Sequence, residues 1–160
     1  TMKEETLRII GRRATAAQTV EAFKLAREVG FTNITMDLIL GLPGETDEDV
    51  LATIDYLNQC DIFGIKLQLL HVLKDTDLAT DYQNGAFTCL SKEHYLDLLI
   101  RCIDRLDPKI VLHRVTGDGP ADLLIAPEWS LYKWDTLNSL HRLMKEGGHY
   151  QGKDFPKSGS

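Results

Sequence analysis

The chain has 160 residues, of which 43% are hydrophobic and 26% are charged, and this composition is typical of one globular domain. Its formal net charge of −6 argues against a general nucleic-acid-binding surface, because such domains usually present a basic face. No apolar run approaches the ~20 residues that span a bilayer, and no segment resembles a signal peptide. The sequence therefore predicts a soluble, cytoplasmic protein with no membrane partner.

The three cysteines, Cys60, Cys89 and Cys102, are odd in number and widely spaced. Their spacing suits neither a disulfide framework nor a C-x-x-C metal site. Three reduced thiols in an intracellular protein are the simplest interpretation. We therefore assign no metal ligands to this chain.

The first predicted elements are a helix at 19–29, which Gly30 ends, and a buried strand at 33–40. A turn follows at 41–45, where two glycines flank a leucine–proline pair. Thr46 predicts the start of the next helix, because a threonine N-cap is followed by three acidic residues that suit the positive end of a helix dipole.

The middle of the chain predicts a strand at 62–72, a short helical turn within 75–82 and then a long helix. Ser91 caps that helix and Pro108 terminates it. The apolar positions of the long helix recur at helical spacing and are Tyr95, Leu99, Cys102 and Leu106.

The last predicted elements are a strand at 110–116 and an amphipathic helix that ends at two glycines, 147 and 148. We expect Trp129 and Trp134 to be core residues, although either ring could stack on a base. The apolar face of the helix consists of Trp134, Leu137, Leu140 and Leu143. The tail at 153–160 is polar and is predicted to be loose.

Helices and strands alternate along the chain, and this order predicts right-handed β-α-β crossovers in a parallel sheet. About three strands are predicted, which is few for a complete α/β domain. The sequence thus predicts an α/β fold with an unusually small sheet.

The predicted strands alternate between apolar and polar residues, whereas a parallel strand buried on both faces should be apolar throughout. One face carries Ile34, Met36, Leu38, Leu40, Ile65, Leu67, Leu69, Ile110 and Leu112. The other face carries Thr35, Asp37, Ile39, Lys66, Gln68, Leu70, Val111 and His113. We expect helices to cover the first face and the second to line an open interior used for binding. Alternatively, an Asp37–Lys66 ion pair would merely satisfy two buried charges.

The stretch 37–46, DLILGLPGET, resembles the fifth strand and following turn of radical S-adenosylmethionine (SAM) proteins, in the branch that includes oxygen-independent coproporphyrinogen oxidase. Further segments resemble the middle of these proteins or a bacterial subfamily of them: 5–13, 26–31, 66–79, 113–119 and 126–130. The resemblance extends over most of the chain.

The resemblance implies a partial (β/α)6 TIM-like barrel with parallel strands, whose first four strands precede residue 1. Residues 1–152 would be the C-terminal part of that barrel with a C-terminal helical extension. The intact protein would hold SAM and a 4Fe–4S cluster, the cluster being bound by a C-x3-C-x2-C motif. This chain lacks the motif. It is therefore expected not to bind the cluster, to be inactive alone and to have the N-terminal half of the barrel as its partner.

The resemblance also assigns cofactor contacts, namely Ile39, Gly41, Leu42, Pro43 and His71. The family motif at the fifth strand is G-x-I-x-G-x-x-E, in which the isoleucine packs on adenine, and Ile39 and Gly41 match it. Asp37 stands at the first glycine and Glu45 lies one position late. His71 would meet adenine through its backbone. The alternative is an ordinary β-to-α turn that holds no ligand.

The third strand ends in His113 and Arg114, followed by a glycine-rich loop that contains Asp118. A histidine and a cation beside such a loop suit an anionic group such as phosphate or carboxylate. A hydrogen-bonded loop anchor is the alternative. The predicted substrate-binding residues are Asp37, Lys66, Gln68, His113, Arg114 and Asp118.

The resulting hypothesis is that the intact protein is an oxidoreductase that cleaves SAM to a deoxyadenosyl radical and modifies a substrate. Relatives suggest RNA, in particular the wobble uridine of tRNA. Another (β/α) barrel enzyme with an anion site, or a non-catalytic binding module, remains an alternative, and no catalytic residue is assigned. We also expect a homo-oligomer of this chain, because strand 33–40 lacks a neighbour and Ile39, Leu70 and Val111 would be exposed.

Overall fold

A computed structural model describes residues 16–31, 33–117 and 119–156. Segment 5–13 and Asp118, both singled out in the sequence, lie outside the described residues. The helices are α1 (Ala16–Glu28), α2 (Asp47–Gln59), α3 (Asp77–Gln83), α4 (Lys92–Arg105) and α5 (Lys133–Gly147). The strands are β1 (Thr35–Leu40), β2 (Gly64–Leu69), β3 (Val72–Leu73), β4 (Val111–Arg114) and β5 (Leu124–Ala126). A 3-10 turn, Glu128–Leu131, precedes α5.

Strands β1, β2 and β4 form a parallel sheet in that order. The pairing of β1 with β2 is regular and runs from Thr35 opposite Gly64 to Leu40 opposite Leu69. The chain between β1 and β2 and between β2 and β4 contains helices, as a parallel sheet requires. The predicted α/β class and its parallel sheet are confirmed.

The predicted helix starts are confirmed by their capping hydrogen bonds. The Asp49 backbone N–H donates to Thr46 Oγ1 at 3.2 Å, and the Thr46 N–H donates to Asp49 Oδ2 at 2.9 Å, so α2 begins with a capping box. The His94 N–H donates to Ser91 Oγ at 3.1 Å at the start of α4. Each cap satisfies a backbone donor that the helix itself leaves unpaired.

Helices α2 and α4 pack against one face of the sheet. Ile54 of α2 and Ile65 and Leu67 of β2 are fully buried. The four apolar positions predicted for the long helix, Tyr95, Leu99, Cys102 and Leu106, are all 0% exposed. Burial of each such side chain stabilises the fold by about 1.5–3 kcal/mol. The helix-covered face is therefore closed, and the opposite, polar face is left for binding.

The second strand is shorter than the sequence predicts. β2 ends at Leu69, and β3 leaves the sheet to pair antiparallel with β5. The change follows Leu70, whose N–H donates to Leu40 O at 2.9 Å as the last hydrogen bond to β1. Leu70 is also buried, at 9% exposure, so its expected place in an exposed patch is wrong. It lies beside the turn after β1, since a Cβ on Gly41 would be 3.8 Å from Leu70 Cβ.

The two tryptophans near the start of α5 have different environments. Trp129 is half-buried, and its indole N–H donates to Leu90 O at 3.0 Å. Trp134 is 76% exposed, so its assignment to the core is wrong. The buried side chains of α5 are Thr136 and Leu140. They lie on the stripe that faces the core, whereas Trp134 lies off that stripe, in the first turn.

The chain after α5 folds back onto the end of α4. The Asp154 N–H donates to Asp104 O at 2.8 Å, and the Gly152 N–H donates to Ile103 O at 3.1 Å. The described part of the predicted tail, 153–156, is thus hydrogen bonded, while 157–160 lie outside the described residues. The boundary at 152 stays a prediction. In the described part of the chain, no helix is long and apolar enough to cross a bilayer.

Candidate functional site

The polar face of the sheet aligns predicted site residues in a row across the strands. Asp37 of β1 lies opposite Lys66 of β2, and Lys66 lies opposite Arg114 of β4. Aligned residues of neighbouring parallel strands share a face. Asp37 and Arg114 are exposed and Lys66 is half-buried. One carboxylate and two cations therefore border the same surface, which we call the charged row.

The alternative interpretation of Asp37 and Lys66, a mutual ion pair, is not what the structure contains. The ion pairs of the described residues join other partners, and none links Asp37 to Lys66. Asp37 is exposed, so water rather than Lys66 solvates its carboxylate. Asp37 and Lys66 are thus not held together in a mutual ion pair.

A second row lies nearer the carboxyl ends of the strands. Ile39 of β1 is opposite Gln68 of β2, and both side chains are half-buried. A Cβ on Gly117 would lie 3.8 Å from Gln68 Cβ, so the loop after β4 passes beside Gln68. Ile39, Lys66 and Gln68 thus share one face, as strand alternation predicts, whereas the prediction that they line one common cavity stays a prediction. Ligands of α/β folds bind at this end of the strands.

The turn after β1 is packed by the rest of the protein. Gly41 has φ +92°, a conformation that favours glycine. The side chain of Leu90 lies 3.3 Å from the position that a Cβ of Gly41 would occupy. Leu42 and Pro43 are buried. Of the residues expected to contact a cofactor here, Ile39 alone has a half-buried side chain on the polar face, and the roles of the others stay predictions.

His71, which follows β2, packs against the glycine-rich loop. A Cβ on Gly117 would lie 3.1 Å from His71 Cε1, and a Cβ on Gly119 would lie 3.3 Å from His71 Cγ. Contacts this short leave little room for side chains at the two positions. The loop therefore closes over the imidazole because both residues are glycines.

A cavity of about 120 Å³ opens beside His71 and this loop. Ser130, Leu131 and Lys133 line its other side. Pockets that enclose a whole drug-sized ligand are larger, about 300 Å³ or more. This cavity therefore suits one group of a larger ligand. Its ammonium and imidazole groups can bind an anionic or hydrogen-bonding group, whereas the Ser130 hydroxyl donates to Pro127 O at 2.7 Å and can only accept a further hydrogen bond.

The inner wall next to this cavity is held rigidly. The Tyr95 hydroxyl donates to Val115 O at 2.6 Å, and its ring lies 5.5 Å from the Trp129 ring. Burial raises the pKa of Tyr95, so the hydroxyl stays protonated and keeps donating at neutral pH. These contacts fix the strand that leads into the glycine-rich loop.

His113 does not lie beside the glycine-rich loop, contrary to the sequence-based grouping. The pairing of β4 with β2 shifts by one residue there, because Leu112 lies opposite Ile65 and Arg114 lies opposite Lys66. His113 is the extra residue of this bulge. Its Nε2 lies 2.3 Å from the position that a Cβ of Gly64 would occupy, at the amino end of β2. His71 takes the place expected for His113.

Two residues of the cavity, Ser130 and Lys133, were missed by sequence reasoning. They lie in a 3-10 turn and at the first position of α5, where no hydrophobic periodicity marks a site. The available signal was local: Lys133 stands between two aromatic residues, Tyr132 and Trp134. Such a cation can be recognised only when the fold brings it next to His71.

The cysteines do not suit an iron–sulfur cluster. Cys102 is fully buried in the core, and burial raises its pKa to about 12. Burial also raises the pKa of Cys89. Cluster ligands are thiolates, which both environments disfavour. Among the described residues, no group of three or more histidine, cysteine or acidic side chains could hold a metal ion. Cys89 and Cys102 are therefore poor candidates for cluster ligands.

A larger groove of about 690 Å³ lies between α4 and α5, in the helical layer. Two of its charged side chains are held in ion pairs, Lys92 with Asp135 and Arg101 with Asp97, and His149 Nδ1 lies 2.8 Å from Asp104 Oδ2. These pairs tie the helices and the following chain together. We therefore place the candidate site at the carboxyl ends of the strands instead.

Comparisons with protein families match almost the whole chain. The model of the radical SAM superfamily matches residues 1–57. The model of the radical SAM C-terminal domain matches residues 62–146, which is more than half of the chain. The first match ends within α2 and the second begins two residues before β2.

Two Bacillus subtilis relatives show how far the similarity extends. YtqA is 34% identical over 157 residues, which are 98% of this chain and 48% of YtqA. The oxygen-independent coproporphyrinogen-III oxidase-like protein HemZ is 54% identical over 43 residues, 27% of this chain and 9% of HemZ. The chain thus spans about half the length of the first of these relatives.

The fold is also similar to a solved structure, that of Elp3 from Methanocaldococcus infernus with its N-terminus deleted. The TM-score is 0.81 at 16% sequence identity, and the match covers 94% of this chain and 35% of the Elp3 chain. At this identity the comparison concerns the fold alone. It agrees with the predicted partial TIM-like barrel.

Proposed function

Since the chain belongs to the radical SAM superfamily, we propose that it supplies the C-terminal part of the barrel of a radical SAM oxidoreductase. The observation that carries this proposal is the charged row, with Gln68 beyond it on the same face of the sheet, and the cavity at the carboxyl ends of the strands. A packed barrel would have branched apolar side chains there. Residues outside this chain would hold the cluster.

The residues we assign to SAM are Ile39 and the backbone at His71. Ile39 presents a half-buried aliphatic chain at the carboxyl end of β1, which suits the face of an adenine ring. Gln68 of β2, which lies opposite Ile39, is its polar neighbour. When bound in the intact protein, SAM and the cluster together would supply the deoxyadenosyl radical. The residues of this chain would bind and orient SAM and the substrate.

We further propose RNA as the substrate, in particular a wobble uridine of tRNA. The Gln68 amide can both donate and accept hydrogen bonds, as the edge of a uracil requires. Lys66 and Arg114 lie on the same face and can pair with the phosphate groups of the nucleotide. The charged row and Gln68 would thus contact different parts of one nucleotide.

The proposed reaction can be tested in cells by comparing tRNA nucleosides from a deletion strain and its complemented derivatives by liquid chromatography and mass spectrometry. Loss of one modified wobble uridine on deletion, and its return with the wild-type gene, is expected. Gln68→Ala and Lys66→Ala should fail to restore it. Lys109→Ala, which alters an exposed lysine in the turn before β4, should restore it fully. Unchanged nucleosides in the deletion strain would refute the RNA substrate.

The proposed SAM contact is tested by Ile39→Asp in the intact protein. A carboxylate placed against adenine loses water without gaining a partner, so affinity for SAM should fall by about tenfold or more. Isothermal titration calorimetry measures this directly. Ile39→Val, which keeps an aliphatic contact, is the matched control and should bind nearly as wild type does. Equal affinity of Ile39→Asp and wild type would remove Ile39 from the site.

A further inference from the structure

Large apolar side chains are exposed next to the cavity, at the junction of the 3-10 turn and α5. Tyr132 is 62% exposed and Trp134 is 76% exposed, the largest value among the exposed apolar residues that the structure describes. Leu131, which lines the cavity, is 46% exposed. Lys133 stands between the two aromatic residues and also lines the cavity. We call residues 131–134 the aromatic rim.

Packing does not account for the exposed rings. The buried side chains of α5 are Thr136 and Leu140, two and six residues beyond Trp134 and on a different side of the helix from it. Tryptophan is usually well buried, and grouped exposed aromatic residues often mark a binding surface. Leu131 and Lys133 of the rim line a cavity too small for a whole ligand, so a ligand held there would extend beyond the cavity.

We propose that the aromatic rim is a docking surface for an unpaired stretch of RNA, adjacent to the nucleotide that enters the site. This inference rests on the proposed function, whose substrate it specifies as a single-stranded or looped segment. Bases would stack on Tyr132 and Trp134, since every base has a face that aromatic rings can cover. A phosphate between stacked bases would meet Lys133.

The charges around the rim favour this occupant over a duplex. Asp135, the acidic neighbour in the same turn, is in an ion pair with Lys92, which reduces repulsion of a phosphate. The chain has a net charge of −6, so it lacks the broad basic surface on which duplex binding depends. Duplex bases are also stacked on each other and cannot cover protein rings. Stacking with one phosphate contact is what the rim provides.

Fluorescence anisotropy of a fluorescein-labelled RNA stem–loop, added to the intact protein without SAM, tests the proposal. Trp134→Ala should weaken binding of the stem–loop by about tenfold, as loss of a stacked base does. Trp134→Phe should retain most of the affinity because it keeps a ring. Tyr150→Ala removes a similarly exposed aromatic residue, 57% exposed, from the chain after α5 and should change nothing. A fully paired RNA of equal length should bind more weakly than the stem–loop.

The salt dependence gives a second readout. Lys133→Ala should reduce the slope of log affinity against log salt by about 0.7, the value for one phosphate contact of a single strand. Since Trp134 is exposed, circular dichroism of its variants should match wild type.

If wild type and Trp134→Ala bind the stem–loop equally and tRNA modification is intact, the aromatic rim is not an RNA docking surface, and the proposed function still stands. No binding of any RNA, together with unchanged tRNA nucleosides on deletion, would overturn both. If uridine monophosphate binds in a way that depends on Trp134 and the stem–loop does not bind, the occupant of the rim is a small ligand and the RNA proposal is wrong.

Discussion

The imidazole of His113 lies directly over Gly64 on the polar face of the sheet. The imidazole fills the space in which any other residue at 64 would place its side chain, and Val111 O lies only 3.0 Å from that position. The ring of Phe63 lies 6.0 Å from the imidazole, beside it. The bulge that aligns Arg114 with Lys66 thus depends on a glycine in the neighbouring strand.

We expect Gly64→Ala to lower the free energy of unfolding by about 1–3 kcal/mol, because the added methyl group overpacks this position. Urea denaturation of the single and double variants measures the effect. Adding His113→Ala should recover part of the loss, since the ring is the nearer obstacle, but not all of it, since Val111 O remains. Strictly additive effects of the two substitutions would show that Gly64 and His113 do not share this space.

At the residue scale, the sequence predicts the faces of β1 and β2 well and that of β4 incompletely. Alternation assigns Asp37, Lys66 and Gln68 to one face, and the register confirms it because neither strand is irregular. Alternation cannot reveal the bulge at His113, which depends on the space above Gly64, a residue distant in sequence. Lys133 was missed for a similar reason, since only the fold brings it to the cavity.

At the scale of elements, buried hydrogen bonds join the chain after α5 to the end of α4. Asp104 is 4% exposed, and its Oδ2 is 2.8 Å from His149 Nδ1. Its Oδ1 has no hydrogen-bond partner among the described residues. The Gln151 side chain donates to Ile110 O at 2.6 Å, and the Asp154 N–H donates to Asp104 O. The segment 149–155 therefore closes one end of the helical layer.

We expect His149→Ala to destabilise the protein by about 1–3 kcal/mol, because it leaves a buried carboxylate without this partner. Hydrogen exchange should also accelerate in 149–155. His94→Ala is the matched control, since His94 contacts the more exposed Asp47 at 2.9 Å and should contribute at most about 1 kcal/mol. A larger loss for His94→Ala than for His149→Ala in chemical denaturation would contradict this ranking.

Elements with long periodic patterns were predictable, and short ones were not. The stripe of α4 was predicted residue by residue, since four positions at helical spacing all lie in the core. β3 and β5 have two and three residues, too few for alternation to be visible. Trp134 was placed in the core by the same periodic argument that succeeded for α4. That argument fails for Trp134 because the ring lies off the stripe on which Thr136 and Leu140 are buried.

At the scale of the whole molecule, β1 lies at the edge of the described sheet and pairs with β2 alone. Its polar-face residues include one charge, Asp37, and no proline protects the edge. The exposed side chains of Phe63 and Val111 lie near the amino ends of the strands. There the Phe63 N–H donates to Ile34 O, and the Val111 N–H donates to Phe63 O. Phe31 and Val29 are also exposed there. An edge and an apolar surface together favour association.

We predict that this chain, produced by itself, forms a homodimer or larger assembly that buries β1 and the surface around Phe63 and Val111. Association would pair the edge of the described sheet and remove apolar side chains from water. Light scattering at micromolar concentration should give at least twice the monomer mass. Val111→Lys should shift the mass toward the monomer, whereas Leu123→Lys should not, although both residues are 41% exposed. Leu123 precedes β5, away from this surface. A monomeric mass for the wild-type chain, with rapid hydrogen exchange throughout β1, would rule the association out.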